Sequence, residues 1–214
     1  VNFYGREYKV NANVLIPRQD TEILVEEVMK LTNSESHVLD MCTGSGCIII
    51  SLAASGHTSE NGAVAIDISD DALKVADYNK KYNNADYIKL IKSDMFSSSE
   101  CEQYKNEDNR FDVIVSNPPY IPTKDIDELS EEVRLHDPVL ALDGDTDGLK
   151  FYKAITKQSV NYLKENGYLC YEIGYNQAED VRNIMEQCGY SGIKVIKDLA
   201  GLDRVVIGRL NNIN

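Results

Sequence analysis

Cysteine and histidine are scarce in this sequence, and neither is clustered. Three histidines stand far apart along the 214 residues, and no two of the five cysteines form a C-x-x-C pair. The cysteines are Cys42, Cys47, Cys101, Cys170 and Cys188. An odd number of scattered cysteines supports neither a disulfide framework nor a zinc site. We therefore expect reduced thiols in a cytoplasmic protein, and no metal.

Long apolar segments are missing as well. No run approaches the length of a membrane span, no signal peptide is visible, and no internal repeat or low-complexity tract occurs. The hydrophobic content of 43% and the charged content of 27% are ordinary for a globular protein. The length suits one well-buried domain rather than two. We expect a monomer that does not interact with membranes.

Basic residues are few compared with acidic ones. The chain has 22 Lys and Arg residues against 35 Asp and Glu residues, which gives a net charge of -13. Because an acidic surface repels phosphate backbones, stable nucleic-acid binding is not expected. The net charge does not exclude a local basic patch.

Apolar, β-branched segments alternate with helix-forming segments along most of the chain. The predicted strands are residues 37–41, 62–68, 87–91, 111–115, 168–173, 193–197 and 205–210. The first predicted helix has Asp20 or Thr21 as its cap. The other predicted helices cover residues 47–54, 70–82, 151–163 and 177–188, with Asp70 as a cap and Asn166-Gly167 as a stop. This alternation is typical of parallel βαβ units in a doubly wound α/β sheet.

Three other segments have a weaker pattern. Residues 3–10 and 14–16 resemble the two arms of a short hairpin ahead of the main fold. Residues 97–110 are polar and predict a surface loop with some helix, and residues 125–135 are acidic and helix-prone. We therefore divide the chain into an N-terminal β-hairpin and turn, residues 1–20, and a main domain, residues 21–214.

A glycine loop, Cys42-Thr43-Gly44-Ser45-Gly46, connects the first central strand to a helix. Glycine lets the backbone turn sharply and approach a nucleotide-like ligand. Ile49 occupies the third glycine position of G-x-G-x-x-G, and no P-loop motif occurs, so no pyrophosphate is required. Asp67 ends the next strand, where an acid can bind ribose hydroxyls. Together, the glycine loop and Asp67 favour S-adenosylmethionine as the ligand. Taken singly, the glycine loop is also compatible with a turn that binds no ligand, and Asp67 with an ordinary acid at the end of a strand.

A proline corner, Ser116-Asn117-Pro118-Pro119-Tyr120, follows the strand at residues 111–115. The two prolines fix φ and donate no N–H, so they end the strand and hold Asn117 extended. The glycine loop, Asp67, Ser93-Asp94 and this corner each lie at the carboxyl end of a different predicted strand. The carboxyl ends of parallel strands share one rim of a doubly wound sheet. A proline turn with an Asn cap and a packed Tyr is the alternative for the corner alone.

Two of these segments resemble a known family. Residues 38–46 resemble the cofactor loop of class I methyltransferases, and residues 111–121 resemble the active-site segment of the release-factor glutamine N5-methyltransferases, the PrmC/HemK family. The segments at residues 14–22, 172–177 and 198–204 match that family too. N-P-P-Y alone is shared with adenine and cytosine amino-methyltransferases, so P-R-x-x-T-E and D-x-A-G-x-x-R favour the glutamine enzymes.

The resemblance implies a Rossmann-like class I methyltransferase with a mostly parallel seven-stranded sheet whose last strand is antiparallel. It implies S-adenosylmethionine as cofactor, S-adenosylhomocysteine as product, and a peptide chain release factor as substrate. The implied cofactor contacts are Cys42, Thr43, Gly44, Ser45, Gly46, Asp67, Asp94, Met95 and Asn117. The implied substrate contacts are Asn117, Pro118, Pro119 and Tyr120, of which Asn117, Pro118 and Tyr120 are catalytic.

The sequence departs from the family in three places. The small helical domain that precedes the hairpin in the family, and helps to dock the protein substrate, has no counterpart in these residues. The first residue is Val rather than Met, which is typical of a fragment. Cys42 replaces a common glycine, which we expect to leave the other two undisturbed, and His136-Asp137-Pro138 replaces an aromatic-Glu-Pro.

Two other functions compete with glutamine methylation. An N6-adenine methyltransferase would use the same corner on a flipped base, but the acidic charge and the lack of a target-recognition domain count against it. A non-catalytic binding module on a methyltransferase fold is disfavoured by the intact Gly44, Gly46, Asp67 and Asn117.

Overall fold

The computed structural model describes residues 1–211. The chain begins with a two-stranded antiparallel hairpin, in which β1 (Asn2–Phe3) pairs with β2 (Arg6–Glu7). The hairpin itself is confirmed, but the predicted second arm at residues 14–16 is wrong. Val14 is buried against Ala72 and Val75, so this segment packs on a helix instead of pairing with a strand.

Seven strands form the central sheet, in the order β5-β4-β3-β6-β7-β9-β8. They are β3 (Val38–Met41), β4 (Ala63–Asp67), β5 (Lys89–Lys92), β6 (Phe111–Ser116), β7 (Leu163–Glu172), β8 (Tyr190–Lys197) and β9 (Asp203–Leu210). The β9 strand runs antiparallel to both of its neighbours, and the other pairs are parallel. The predicted seven-stranded sheet with an antiparallel last strand is therefore confirmed.

Helices cover both faces of the sheet. Residues 1–211 contain seven α-helices, which are α1 (Asp20–Met29), α2 (Cys47–Ala54), α3 (Asp70–Tyr82), α4 (Glu131–His136), α5 (Val139–Leu142), α6 (Lys150–Ser159) and α7 (Ala178–Gln187). Successive residues of β3 point to opposite faces. Val38 belongs to the core that also contains side chains of α1 and α2, and Leu39 belongs to the core that contains side chains of α6 and α7. No helix within residues 1–211 is long and apolar enough to cross a bilayer.

The segment at residues 97–110 is more ordered than predicted. It forms two 3-10 helices, Ser99–Lys105 and Glu107–Asn109, and a third one, Thr123–Glu128, follows the proline corner. Cys101 and Tyr104 are buried in the core below the sheet, so their side chains pull this polar stretch into the fold.

Three predicted helix boundaries are wrong. The N-cap of α1 is Gln19, and the predicted caps Asp20 and Thr21 are the first two helical residues. The helix expected at residues 151–163 ends at Ser159, and Leu163 already pairs with Phe111 in the sheet. Asn166-Gly167 therefore lies inside β7, at an irregularity of register, and Asn166 has a φ of 63°. The cap of α3 is Ser69, whose Oγ accepts from the Ala72 N–H at 3.2 Å, so Asp70 is the first helical residue instead.

Candidate functional site

A cavity of about 290 Å³ opens at the carboxyl ends of β3, β4 and β6. Its volume approaches the about 300–1,000 Å³ that is typical of small-molecule sites. Nine residues predicted from the sequence line it: Cys42, Thr43, Gly44, Ser45, Asp67, Asp94, Met95, Asn117 and Pro119. The structure thus brings together segments that are up to about 80 residues apart in the chain, because parallel strands end at one rim.

The glycine loop turns by alternating left-handed residues. Cys42, Gly44 and Gly46 have φ values of 62°, 54° and 81°. A Cβ added at Gly44 would meet nothing within 4 Å, so bare backbone borders the cavity there. A Cβ at Gly46 would lie 2.8 Å from Ile50 Cδ1 and 3.3 Å from Ala76 Cβ. Gly46 does not line the cavity; it lets α2 and α3 approach each other.

Asp67 ties the glycine loop to the end of β4. Its Oδ2 accepts a hydrogen bond from the Gly44 N–H at 2.9 Å, and its Oδ1 accepts from the Ser69 N–H at 2.9 Å. Burial raises the pKa of this carboxyl, while the backbone donors oppose that shift. Each carboxylate oxygen keeps a lone pair for a ligand hydroxyl, because an ionised carboxylate has about four acceptor positions.

Asp40 is a functional candidate that the sequence did not point to. It is fully buried below the loop, and Thr43 Oγ1 donates to its Oδ2 at 2.6 Å. Its Oδ1 has no hydrogen-bond partner among residues 1–211. Burial raises the pKa of this carboxyl to about 7. The available signal was a single acid inside the apolar strand at residues 38–41, because buried acids are rare without a role.

The proline corner separates the first cavity from a second one of about 160 Å³. Asn117 lines both cavities, whereas Pro118 and Tyr120 line only the second. Asn117 is therefore the predicted site residue that borders both spaces, together with Leu15 and Ala141.

A buried acid, Glu172, forms part of the second cavity. Its Oε2 accepts from Thr21 Oγ1 at 2.5 Å, and its Oε1 accepts from the Tyr120 hydroxyl at 3.4 Å. Asn117 Nδ2 in turn donates to Thr21 Oγ1 at 3.5 Å. Burial raises the pKa of Glu172, and the neighbouring Arg204 opposes that shift. Neither Thr21 nor Glu172 was predicted as a site residue.

Tyr120 keeps its proton at this position. Burial, together with the adjacent Glu172 charge, raises the pKa of its phenol. A neutral phenol can donate to the carboxylate and present a flat, uncharged ring to the second cavity. This geometry suits packing against a planar ligand group rather than proton abstraction.

A cover loop, residues 121–143, closes over both cavities. Its two ends meet where the Ile121 N–H donates to the Leu142 carbonyl at 2.9 Å. The buried Asp137 fastens the loop, since its Oδ1 accepts from the Ile16 N–H at 3.0 Å and its Oδ2 pairs with Arg18 at 2.5 Å. The segment in which the sequence departs from the family thus holds the N-terminal residues against the cover loop.

Sequence comparisons link the chain to methyltransferases. A family profile described as a methyltransferase domain matches residues 32–203. The release factor glutamine methyltransferase of Fusobacterium nucleatum is 41% identical over 209 residues, which make up 97% of this chain and 57% of that protein. The protein of the same name from Thermodesulfovibrio yellowstonii is 40% identical over 209 residues, or 96% and 72% of the two chains. The chain therefore spans only part of each of these curated relatives.

A solved structure supports the same fold. The release factor-specific protein-(glutamine-N5) methyltransferase of Alicyclobacillus acidocaldarius is 24% identical, with a TM-score of 0.53. The match covers 96% of this chain and all of that one. At this identity the likeness concerns the fold, which is the methyltransferase fold expected from the sequence.

Proposed function

The chain belongs to the release factor glutamine methyltransferase family, and we propose that it N5-methylates the glutamine of the Gly-Gly-Gln motif in a peptide chain release factor. The observation that carries the proposal is the position of Asn117, which lines two adjoining cavities. A methyl donor on one side and a glutamine side chain on the other would meet at this residue.

We assign S-adenosylmethionine to the first cavity. The backbone at Gly44 leaves open space at the cavity wall, and Asp67 offers carboxylate oxygens to a ribose. Cys42, Thr43 and Ser45 complete the wall of the glycine loop. When bound, this cofactor supplies an electrophilic methyl group on a sulfonium. The apolar and polar residues present therefore fit an adenosine-containing ligand that has no phosphate.

We assign the glutamine side chain to the second cavity. A carboxamide nitrogen is a poor nucleophile, because its lone pair is delocalised into the carbonyl. Asn117 Oδ1 and the Pro118 carbonyl can accept its two N–H bonds and offset the positive charge that grows on the nitrogen. Pro119 stiffens the corner and Tyr120 can pack on the amide plane. Such positioning lowers a barrier by about 7–11 kcal/mol in the most favourable systems.

Asp67→Ala tests the cofactor assignment. We expect S-adenosylmethionine to bind more weakly by about 1–3 kcal/mol, since ribose acceptors are lost and two backbone donors are stranded. Calorimetric titration measures the change. Asp71→Ala is the matched control, because Asp71 is an exposed acid in α3 whose carboxylate pairs with Lys74. Affinity in Asp67→Ala equal to that of the control would reject the ribose role.

Methyl transfer to a purified release factor tests the substrate. We expect tritiated methyl from S-adenosylmethionine to label the folded factor, and short Gly-Gly-Gln peptides to be poorer substrates, because remote docking contributes orientation. The factor's Gln→Ala variant should stay unlabelled. Unmethylated duplex DNA is included because the same corner could serve adenine. Label on the DNA, or equal label on the Gln→Ala factor, contradicts the proposal.

A further inference from the structure

The side-chain amide of Asn117 has a donor end and an acceptor end, and only one of them can face the second cavity. Asn117 Nδ2 donates to Thr21 Oγ1 at 3.5 Å, and Thr21 Oγ1 donates to Glu172 Oε2 at 2.5 Å. A hydroxyl has a single proton, so once Thr21 gives it to Glu172 only its lone pairs remain for Asn117. Hydrogen-bond donation therefore runs in one direction, from Asn117 through Thr21 to Glu172.

We propose that Thr21 and Glu172 are positioning residues that hold Asn117 with its Oδ1 turned toward the substrate amide. The proposal rests on the proposed function, because it assigns the second cavity to a glutamine side chain. Thr21 and Glu172 do not need to touch the reacting atoms. They determine which end of the Asn117 amide faces the substrate. With Oδ1 facing it, the site selects a substrate group that donates hydrogen bonds.

The direction of these linked hydrogen bonds depends on Glu172 accepting from both Thr21 and Tyr120. The 2.5 Å contact with Thr21 has the length of a hydroxyl bonded to an ionised carboxylate. The Tyr120 hydroxyl also donates to Glu172, at 3.4 Å. Burial raises the pKa of Glu172, and the hydrogen bond from Thr21 and the charge of Arg204 oppose that shift.

Arg204 is itself fixed in place. It pairs with Asp198 at 3.0 Å and with Asp20 at 3.4 Å, and its Nη1 donates to the Ile173 carbonyl at 3.5 Å. The segment at residues 198–204 thus places a positive charge whose field opposes the rise in the Glu172 pKa. This gives the D-x-A-G-x-x-R segment a physical task in the site.

Selectivity between an amide and a carboxylate follows from this arrangement. A glutamine presents two N–H donors, one for Asn117 Oδ1 and one for the Pro118 carbonyl, whereas an ionised glutamate presents only acceptors and meets unfavourable oxygens. If Asn117 turned over, Nδ2 would face the cavity and favour the carboxylate. The measurable quantity is the affinity for the release factor divided by the affinity for its Gln→Glu variant.

Thr21→Val removes the hydroxyl and keeps the shape. We expect it to lower kcat by about 10- to 100-fold and the Gln over Glu affinity ratio by about tenfold, with S-adenosylmethionine binding unchanged. Thr21→Ser should keep both values close to wild type. Glu172→Gln should lower the Gln over Glu affinity ratio as well. The introduced amide can donate a hydrogen bond to Thr21, so that Thr21 can donate to Asn117 Oδ1 and the direction of donation is reversed.

Thr156→Val is the matched control for burial. Thr156 is also fully buried, and its hydroxyl bonds to the Tyr171 hydroxyl at 2.9 Å. Tyr171 directly precedes Glu172 in β7, so its side chain lies on the opposite face of the sheet from Glu172. We expect this variant to leave the ratio at the wild-type value. An unchanged ratio in Thr21→Val, even with a reduced kcat, would show that Thr21 only supports the fold, and it would overturn the proposal.

Solvent exchange of the Asn117 Nδ2 protons, followed by NMR in the substrate-free protein, separates this inference from the proposed function. We expect slower exchange in wild type and Thr21→Ser than in Thr21→Val, because Thr21 accepts one of these protons. Equal exchange rates in wild type and Thr21→Val would overturn the positioning role. If wild type does not methylate the release factor, the proposed function fails while the exchange rates still decide the role of Thr21.

Discussion

Asn117→Ala is expected to lower the single-turnover rate of methyl transfer by about 100- to 1,000-fold, the usual loss when one electrostatic contact to the reacting centre is removed. The substrate amide loses the Oδ1 acceptor, and the growing charge on its nitrogen is no longer offset. Thermal stability should change little, because the hydrogen bond that the Asn117 side chain donates to Thr21 is long, at 3.5 Å. The measurement uses saturating S-adenosylmethionine and the folded release factor.

Asn109→Ala is the control for this prediction. Asn109 is exposed, lies in a 3-10 helix and donates to the Gln103 carbonyl. The single-turnover rate of Asn109→Ala should therefore equal that of wild type. An Asn117→Ala rate within about tenfold of wild type, a barrier change of only about 1.4 kcal/mol, would mean that another group accepts the amide.

The sheet was predictable because its signals are local. Four central strands are short runs of apolar residues, each followed within a few residues by a chemical marker: the glycine loop, Asp67, Asp94 or Asn117. Parallel strands place such markers at one rim, so the first cavity follows from chain order alone. The antiparallel last strand came from the resemblance and not from any pattern in its residues.

The errors arose where distant pairing overrode local chemistry. Asn166-Gly167 is a strong turn signal, but pairing of Leu163 with Phe111 keeps it inside a strand. Thr21 carries a helix-start signal, yet its hydroxyl bonds to Glu172, 151 residues away. No short window of sequence contains both partners of such a contact, so the support of Asn117 could only be seen in the folded chain.

Gly46→Ala should destabilise the fold, and Gly44→Ala should mainly weaken cofactor binding. At Gly46 a Cβ combines a φ of 81° with a 2.8 Å approach to Ile50 Cδ1, which costs about 2–4 kcal/mol. For a domain of this size we expect the Tm to fall by roughly 4–16 °C. At Gly44 only the left-handed backbone is unfavourable, which costs about 1–2 kcal/mol.

The two variants separate the fold from the site within one loop. A Cβ at Gly44 stands in open space at the cavity wall, where the cofactor would lie, so we expect its affinity to fall by at least about tenfold, or 1.4 kcal/mol. Calorimetric unfolding and titration of both variants give the comparison. Wild-type cofactor affinity in Gly44→Ala would mean that the ligand does not approach this backbone. Wild-type stability in Gly46→Ala would mean that Ile50 and Ala76 can make room for the added Cβ without cost.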